Sequence, residues 1–392
     1  MMGVDNMTSG SEANTAKSPD ERREAGDIAA AVERVRRMEA LFDRLSGALQ
    51  HEPALLGSEE ALRTAVRTLS AYQSGGDWQR DYELDEQGLL PADLKRGVLS
   101  QDGLYDLLCA PEIEAVLADG PDRGAEPVRI ETVRTETFSM EYFRFGRGDK
   151  TLVILPGLSV QSVMGAADAI AAAYRPIEDA YTVYVFDRRS DVPSPYTVKD
   201  MARDTAEAFR ALGLKDVCLF GASQGGMIAL VLAIEYPELV GRMVLGSSSA
   251  HVQEAQYRVL EEWIRLAKAG DRVGLYLAFG REIYPPAVFD ACRDSLIAAA
   301  GTVTDAELAR FIRLAEGTRG FDVVKDLDRI RCPVLAIGVY EDGVLDSDAT
   351  MEIAEKLDVR PDFRLYLYTG YGHAAFDTAP DYKERLLRFF AS

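Results

Sequence analysis

Apolar residues enter the chain on a three-four rhythm. From Ile28 they recur at Val32, Val35, Met38, Phe42, Leu45 and Leu49, which predicts one stripe along a long helix. A second helical segment over about 58–73 carries Leu62, Val66 and Leu69 on one face, so the two can pair as an antiparallel hairpin. A short helix is expected from Asp102 to about Leu117. Past Pro127 the rhythm changes to two: Val128–Val133 and Met140–Phe145 alternate as antiparallel strands. Leu152–Leu155 is a short continuous apolar run, which suits a parallel strand buried on both faces. Further strands are expected at Tyr181–Phe186, Val217–Phe220, Met243–Gly246, Pro333–Gly338 and Phe363–Tyr368. Helical segments at 161–174, 198–212, 348–357 and 381–390 separate them. Strands alternating with helices predict an α/β chain with a mostly parallel three-layer sheet.

One stretch breaks the alternation. Residues 252–317 show helical patterning only, with Thr304 and Glu307 spaced as a capping box for the last helix. A purely helical insertion between two strands of such a sheet is expected to be a lid, its aromatic residues mostly forming its own core. Trp263 and Phe279 are candidates to face a pocket. The chain thus divides into a polar tail over 1–25 with the composition of disorder, a helical module over 26–120, a sheet-forming core over 121–251 and 318–392, and the lid.

Composition narrows the partners. The 392 residues carry a formal net charge of -20, which opposes non-specific binding to nucleic acid or to an anionic membrane surface. No apolar run approaches membrane-spanning length. The four cysteines lie far apart, without metal-site or disulfide-scaffold spacing, and Cys218 and Cys332 fall in predicted strands as buried thiols. A reducing cytoplasm is the expected compartment, and no metal or organic cofactor is expected.

Candidate chemistry centres on Gly221-Ala222-Ser223-Gln224-Gly225-Gly226. An apolar strand stops, a serine follows a glycine by two residues, and helical patterning resumes. That is the strand-turn-helix setting of a G-x-S-x-G nucleophile elbow, in which Gly221 and Gly225 let strand and helix cross closely. A serine nucleophile needs a base and an acid that orients it. The chain has three histidines. His51 lies in the helical module and His251 opens the lid, where it can line the pocket. His373 follows the last strand directly, at the sheet end where catalytic groups gather, and is the expected base. The acid is expected in the loop after Val334–Ile337, where Asp342 beside Gly343 is preferred over Glu341 and Asp346. The order Ser223, Asp342, His373 then fits nucleophile, acid and base. Backbone N–H groups of Gln224 and of Leu158, the latter made available by the turn at Gly157, are expected to receive the developing oxyanion.

Two resemblances add to this. Residues 30–118 resemble DUF4298, a small bacterial family of unknown function, most specifically over Trp78 to Leu108. The resemblance names a domain and implies no activity; the bland expectation is helical packing with Trp78 and Tyr82 covering a helix pair, the other a partner or self-association surface. Residues 128–391 resemble the α/β-hydrolase superfamily in its helical-lid branch, through G-A-S-Q-G-G at 221–226, Y-P-E-L-V-G-R-M-V-L at 236–245, the Gly338–Asp342 loop and Y-G-H at 371–373. The branch holds esterases, lactonases, C–C bond hydrolases and cofactor-free haloperoxidase-like enzymes. Many of its members have His-Gly where this chain has Pro156-Gly157. Serine at 223, rather than aspartate, argues against dehalogenase or epoxide hydrolase chemistry. The expected function is hydrolysis of a small or medium, partly hydrophobic ester, thioester or lactone through an acyl-enzyme. The alternatives are C–C bond hydrolysis of β-diketone-like substrates, acyl transfer with the same triad, or a non-catalytic receptor or scaffold. A small-molecule substrate is the expected partner, with a homo-oligomer or protein contact through the N-terminal module.

Overall fold

A chain with two hydrophobic rhythms has two places to bury them. The computed structural model describes residues 19–74, 77–118, 128–174, 177–379 and 381–391. It divides into two compact units, one up to Arg123 and the other from Gly124.

The smaller unit is helical: α1 Pro19–His51, α2 Ala54–Ser58, α3 Glu60–Ser74, α4 Asp77–Glu86, α5 Gln101–Leu108 and α6 Pro111–Ala118. Val35, Met38 and Leu45 of the α1 stripe are buried against Leu62, Val66 and Leu69 of α3. Its charged residues close on one another. Asp81 is fully buried and accepts from Arg34 Nε and Tyr72 Oη, each at 2.9 Å. That hydrogen bond holds the Arg34 guanidinium above its usual range, while burial and then Asp81 push the Tyr72 hydroxyl up. Glu39, also buried, accepts the N–H groups of Gly97 at 3.2 Å and Val98 at 2.6 Å. Trp78 stacks on Tyr82 at 5.1 Å and donates its indole N–H to Val98 O at 2.9 Å. Two expectations need correction. The single helix from Asp102 to Leu117 is two helices, broken at Cys109-Ala110 ahead of Pro111, whose missing N–H ends the first ladder. The polar tail over 1–25 overlaps α1, which reaches back to Pro19; residues 1–18 lie outside the described residues.

The larger unit holds one eight-stranded sheet: β1 Ile130–Arg134, β2 Ser139–Phe145, β3 Lys150–Leu155, β4 Tyr181–Arg189, β5 Val217–Ala222, β6 Val240–Gly246, β7 Val334–Val339 and β8 Phe363–Tyr368. The spatial order is β1-β2-β4-β3-β5-β6-β7-β8, with β1–β2 and β2–β4 antiparallel and the other pairs parallel. Helices cover both faces. α7 (Ala167–Ala173) shares its core with the C-terminal α16 (Tyr382–Ala391), and α8 (Val198–Ala211) shares the other core with α9 (Gln224–Glu235) and α14 (Asp346–Leu357). Thr197 and Asp200 cap α8 reciprocally. The register sets Leu155 beside Gly221, Ala222 beside Gly246 and Gly246 beside Ile337, so the carboxyl ends of four strands finish together.

Between β6 and β7 the chain forms α10 Glu254–Lys268, α11 Arg272–Ile283, α12 Pro286–Ala300 and α13 Asp305–Glu316, the last capped by Thr304 and Glu307. Leu260, Ile264 and Phe311 bury their faces in the unit's core. The four cysteines are free thiols. Burial pushes Cys332 up to about 11, whereas Cys218, expected to be buried, is half-buried. Among the described residues no helix is long and apolar enough to cross a membrane.

Candidate active site

The parallel strands deliver their ends to one rim, and the elbow stands at its centre. β5 ends at Ala222, α9 begins at Gln224, and Ser223 between them has φ 51° and ψ -121°. Such a backbone costs a residue with a side chain about 1–3 kcal/mol and persists only where its surroundings over-determine it. Here they do. The Ser223 N–H donates to Gly246 O at 2.8 Å, and its carbonyl accepts from Gly226 N at 2.8 Å and Ser248 Oγ at 2.8 Å. The crossing has no room for side chains: a Cβ on Gly225 would sit 2.0 Å from Leu155 O, and one on Gly221 2.5 Å from Gly225 O.

His373 follows β8 and lies, with its side chain 5% exposed, against Asp342 in the loop after β7. Its Nδ1 is 2.9 Å from Asp342 Oδ1 and 2.8 Å from Oδ2. Asp342 Oδ1 also accepts the N–H groups of Val344 at 2.9 Å and Leu345 at 3.0 Å. Burial alone would raise this carboxyl; the His373 ring and the two backbone donors outweigh it and hold Asp342 below the usual carboxylate range. The neighbouring acids have other partners. Glu341 accepts from Gly370 N at 2.7 Å, and Asp346 from Asp348 N at 3.3 Å at the start of α14.

Ser223 and His373 line one cavity of about 250 Å³. Leu158, Trp263, Phe279 and Ile283 supply much of its apolar wall, with Trp263 and Phe279 in ring contact at 4.4 Å. Gly157 approaches the elbow so closely that its Cβ would lie 3.2 Å from Ser223 Cβ. Among the described hydrogen bonds, the backbone N–H groups of Leu158 and Gln224 donate to no acceptor. His251, a candidate pocket residue, does not line the cavity; its Nδ1 faces Glu352 Oε1 at 3.8 Å, beside a bridge to Asp322. His51 is exposed at the end of α1 in the smaller unit. Among the described residues no cluster of His, Cys, Asp and Glu is arranged to hold a metal.

One residue at this rim escaped the sequence reading. Arg188, 4% exposed near the end of β4, donates from Nη2 to Pro156 O at 2.8 Å and to Gln224 Oε1 at 3.2 Å. It thereby ties together the two segments that carry the Leu158 and Gln224 N–H groups. Burial pushes its guanidinium down to about 10, against the pull of Asp187. The Gln224 amide in turn donates to Leu314 O of α13 at 2.8 Å. Asp187 is held by Arg310 and by Ser162 Oγ, each at 2.6 Å. No local signal marked it: β4 is buried without alternation from Val185 to Arg188.

Residues 150–271 match a family model described as alpha/beta hydrolase fold. The larger unit has the alpha/beta hydrolase fold. Residues 35–116 match a second model, described as a domain of unknown function, DUF4298. The chain is 27% identical over 167 residues to "Serine hydrolase BPHL" of Mus musculus, covering 40% of this chain and only 54% of that protein. It is 25% identical over 244 residues to "Putative carbamate hydrolase RutD" of Agrobacterium fabrum, covering 60% of this chain and 92% of the relative. Among solved structures, an alpha/beta hydrolase enzyme from a Medee basin deep-sea metagenome library superposes with a TM-score of 0.60 at 22% identity, over 67% of this chain and 98% of that one. The enol-lactonase from Burkholderia xenovorans gives 0.58 at 15% identity, over 67% and 100%. At these identities the structures attest the fold.

Proposed function

We propose that the hydrolase cleaves small or medium, partly hydrophobic carboxylic esters, thioesters or lactones through an acyl-enzyme on Ser223. The observation that carries this reading is the buried Asp342–His373 pair lining the same cavity as a serine in a forced positive-φ turn. In the first step Ser223 Oγ bonds to the substrate carbonyl carbon, and its proton passes to His373 Nε2. The carbonyl electron pair moves onto oxygen, which the N–H groups of Leu158 and Gln224 receive. As the pair returns, the bond to the leaving group breaks and His373 protonates that group. Water then repeats the sequence: His373 takes its proton, the carboxylic acid departs, and Ser223 is restored. Asp342 keeps the Nδ1 proton of His373 in place, so that Nε2 faces the reaction. The apolar cavity wall and its volume of about 250 Å³ favour a short acyl group. A carbamate presents the same kind of carbonyl, and the relative named as a putative carbamate hydrolase falls within this reaction class. The test is labelling by a fluorophosphonate together with turnover of p-nitrophenyl butyrate. Both should occur in the native protein and both should vanish in Ser223→Ala; turnover that survives that substitution would overturn the assignment.

A further inference from the structure

Beyond the oxyanion loop lies a second recess, of about 460 Å³. Pro156, Gly157, Val163, Phe376 and Asp377 line both it and the catalytic cavity, so the two meet beside the serine. The walls of the second recess are apolar apart from three side chains, Tyr174, Asp377 and Lys383. Two of these face one another: the Lys383 ammonium lies over the Tyr174 ring at 5.5 Å. The third, Asp377, is attracted by the Lys383 charge but forms no ion pair with it. Among the described residues the Asp377 carboxylate makes neither a hydrogen bond nor an ion pair, although it belongs to the short helix α15 (Ala375–Thr378) that begins two residues after His373. The residue is exposed and lines both recesses.

A carboxylate without a hydrogen-bond or ion-pair partner, at the junction of two largely apolar recesses, is open to a ligand cation or N–H donor. We infer that Asp377 recognises a cationic amino group on the substrate, close to the scissile carbonyl, while the apolar second recess holds the hydrocarbon remainder. The inference rests on the acyl-transfer reading of Ser223 and names the substrate class: amino-bearing acyl esters, thioesters or lactones. Three further observations agree. The junction position puts the carboxylate on the same cavity as Ser223 and His373, where a group near the reacting carbon would lie. Burial pushes Asp377 up to about 6 even though Lys383 pulls the other way, with Tyr174, Tyr284 and Tyr382 also facing it; a bound cation would favour its charged form. The net charge of -20 steers cations toward the protein.

The experiment compares p-nitrophenyl esters matched in shape: alaninate against isobutyrate, and 6-aminohexanoate against heptanoate. The native protein and Asp377→Asn are each tested at pH 7.5, a chosen assay condition, with fluorophosphonate labelling of the same samples. Comparing the two proteins cancels the intrinsic reactivity of each ester. In at least one pair the ratio of kcat/KM, amino over neutral, should be about tenfold higher in the native protein than in Asp377→Asn. An equal ratio in the two labelled, active proteins overturns the inference and leaves the proposed reaction standing. Absence of both labelling and turnover in the native protein overturns both. If Asp377→Asn does not fold, the native protein decides alone. Hexylammonium should then inhibit neutral-ester turnover at least about tenfold more strongly than hexanol, and equal inhibition counts against a carboxylate that selects cations.

Discussion

The two units treat their buried charges in opposite ways. In the smaller one, Asp81 meets Arg34 and Tyr72, and Glu39 meets two backbone N–H groups, so each carboxylate is consumed inside the fold. In the hydrolase, Asp342 is consumed by His373 and two backbone donors, but Asp377 and the serine hydroxyl face space. A satisfied buried charge specifies packing, whereas an unsatisfied one beside a cavity is available to a ligand. The contrast separates a unit in which Asp81 and Glu39 are satisfied within the fold from one in which a carboxylate and a serine border a cavity.

The sharpest break of that contrast is Asp342→Asn. Loss of the carboxylate that orients His373 should lower kcat by about 10⁴-fold with little change in KM, measured on p-nitrophenyl butyrate. The same variant reports on stability. Asp342 in the folded state lies below its unfolded value, so its contribution is complete above the unfolded pKa, about 4, and is lost as pH falls through the folded value. Melting temperature against pH should therefore fall less steeply on the acid side in Asp342→Asn than in the native protein.

Arg188→Met comes next. With Pro156 O and Gln224 Oε1 released from their shared donor, kcat should fall about 10²-fold while Ser223 still reacts with fluorophosphonate, more slowly. Equal kcat in the two proteins would mean that the oxyanion segments hold themselves. In the smaller unit Asp81→Asn should cost about 2–3 kcal/mol in that unit's unfolding, read by denaturant titration, because Arg34 and Tyr72 lose a buried charge partner. Its kcat/KM should match the native value; a fall would show that the helical unit contributes to catalysis. Arg44→Ala, which removes an exposed pair with Glu59, should shift unfolding by less than about 0.5 kcal/mol.

Much of the hydrolase was legible in the sequence because its signals are local. The run from Val217 to Leu230 announces strand, turn and helix through adjacent residues, and the capping boxes at Thr197 and Thr304 need only four residues each. The meeting of Asp342 with His373 was readable from a different fact: three histidines left little choice. Less was readable where polar residues turn inward. The strand expected at Tyr181–Phe186 stops short of Asp187-Arg188-Arg189, yet Arg188 crosses to the elbow and Asp187 to Arg310 of α13. Helix α4 was invisible for a related reason: Asp77–Glu86 has too few apolar positions to make a stripe, and its inward face is Asp81. His251 was misjudged because its place in sequence, at the start of the lid, says nothing of the direction in which its ring turns.

The turn at Ser223 has a consequence for the protein's economy of change. A residue with a side chain sits where glycine would be at ease, and the ends of β5 and β6, helix α9 and Ser248 hold it there. Ser223→Gly should therefore melt at a higher temperature than the native protein while being inert. Under the proposed mechanism, substitution here would abolish turnover and relieve the turn together, so loss of activity would leave a sturdier molecule behind.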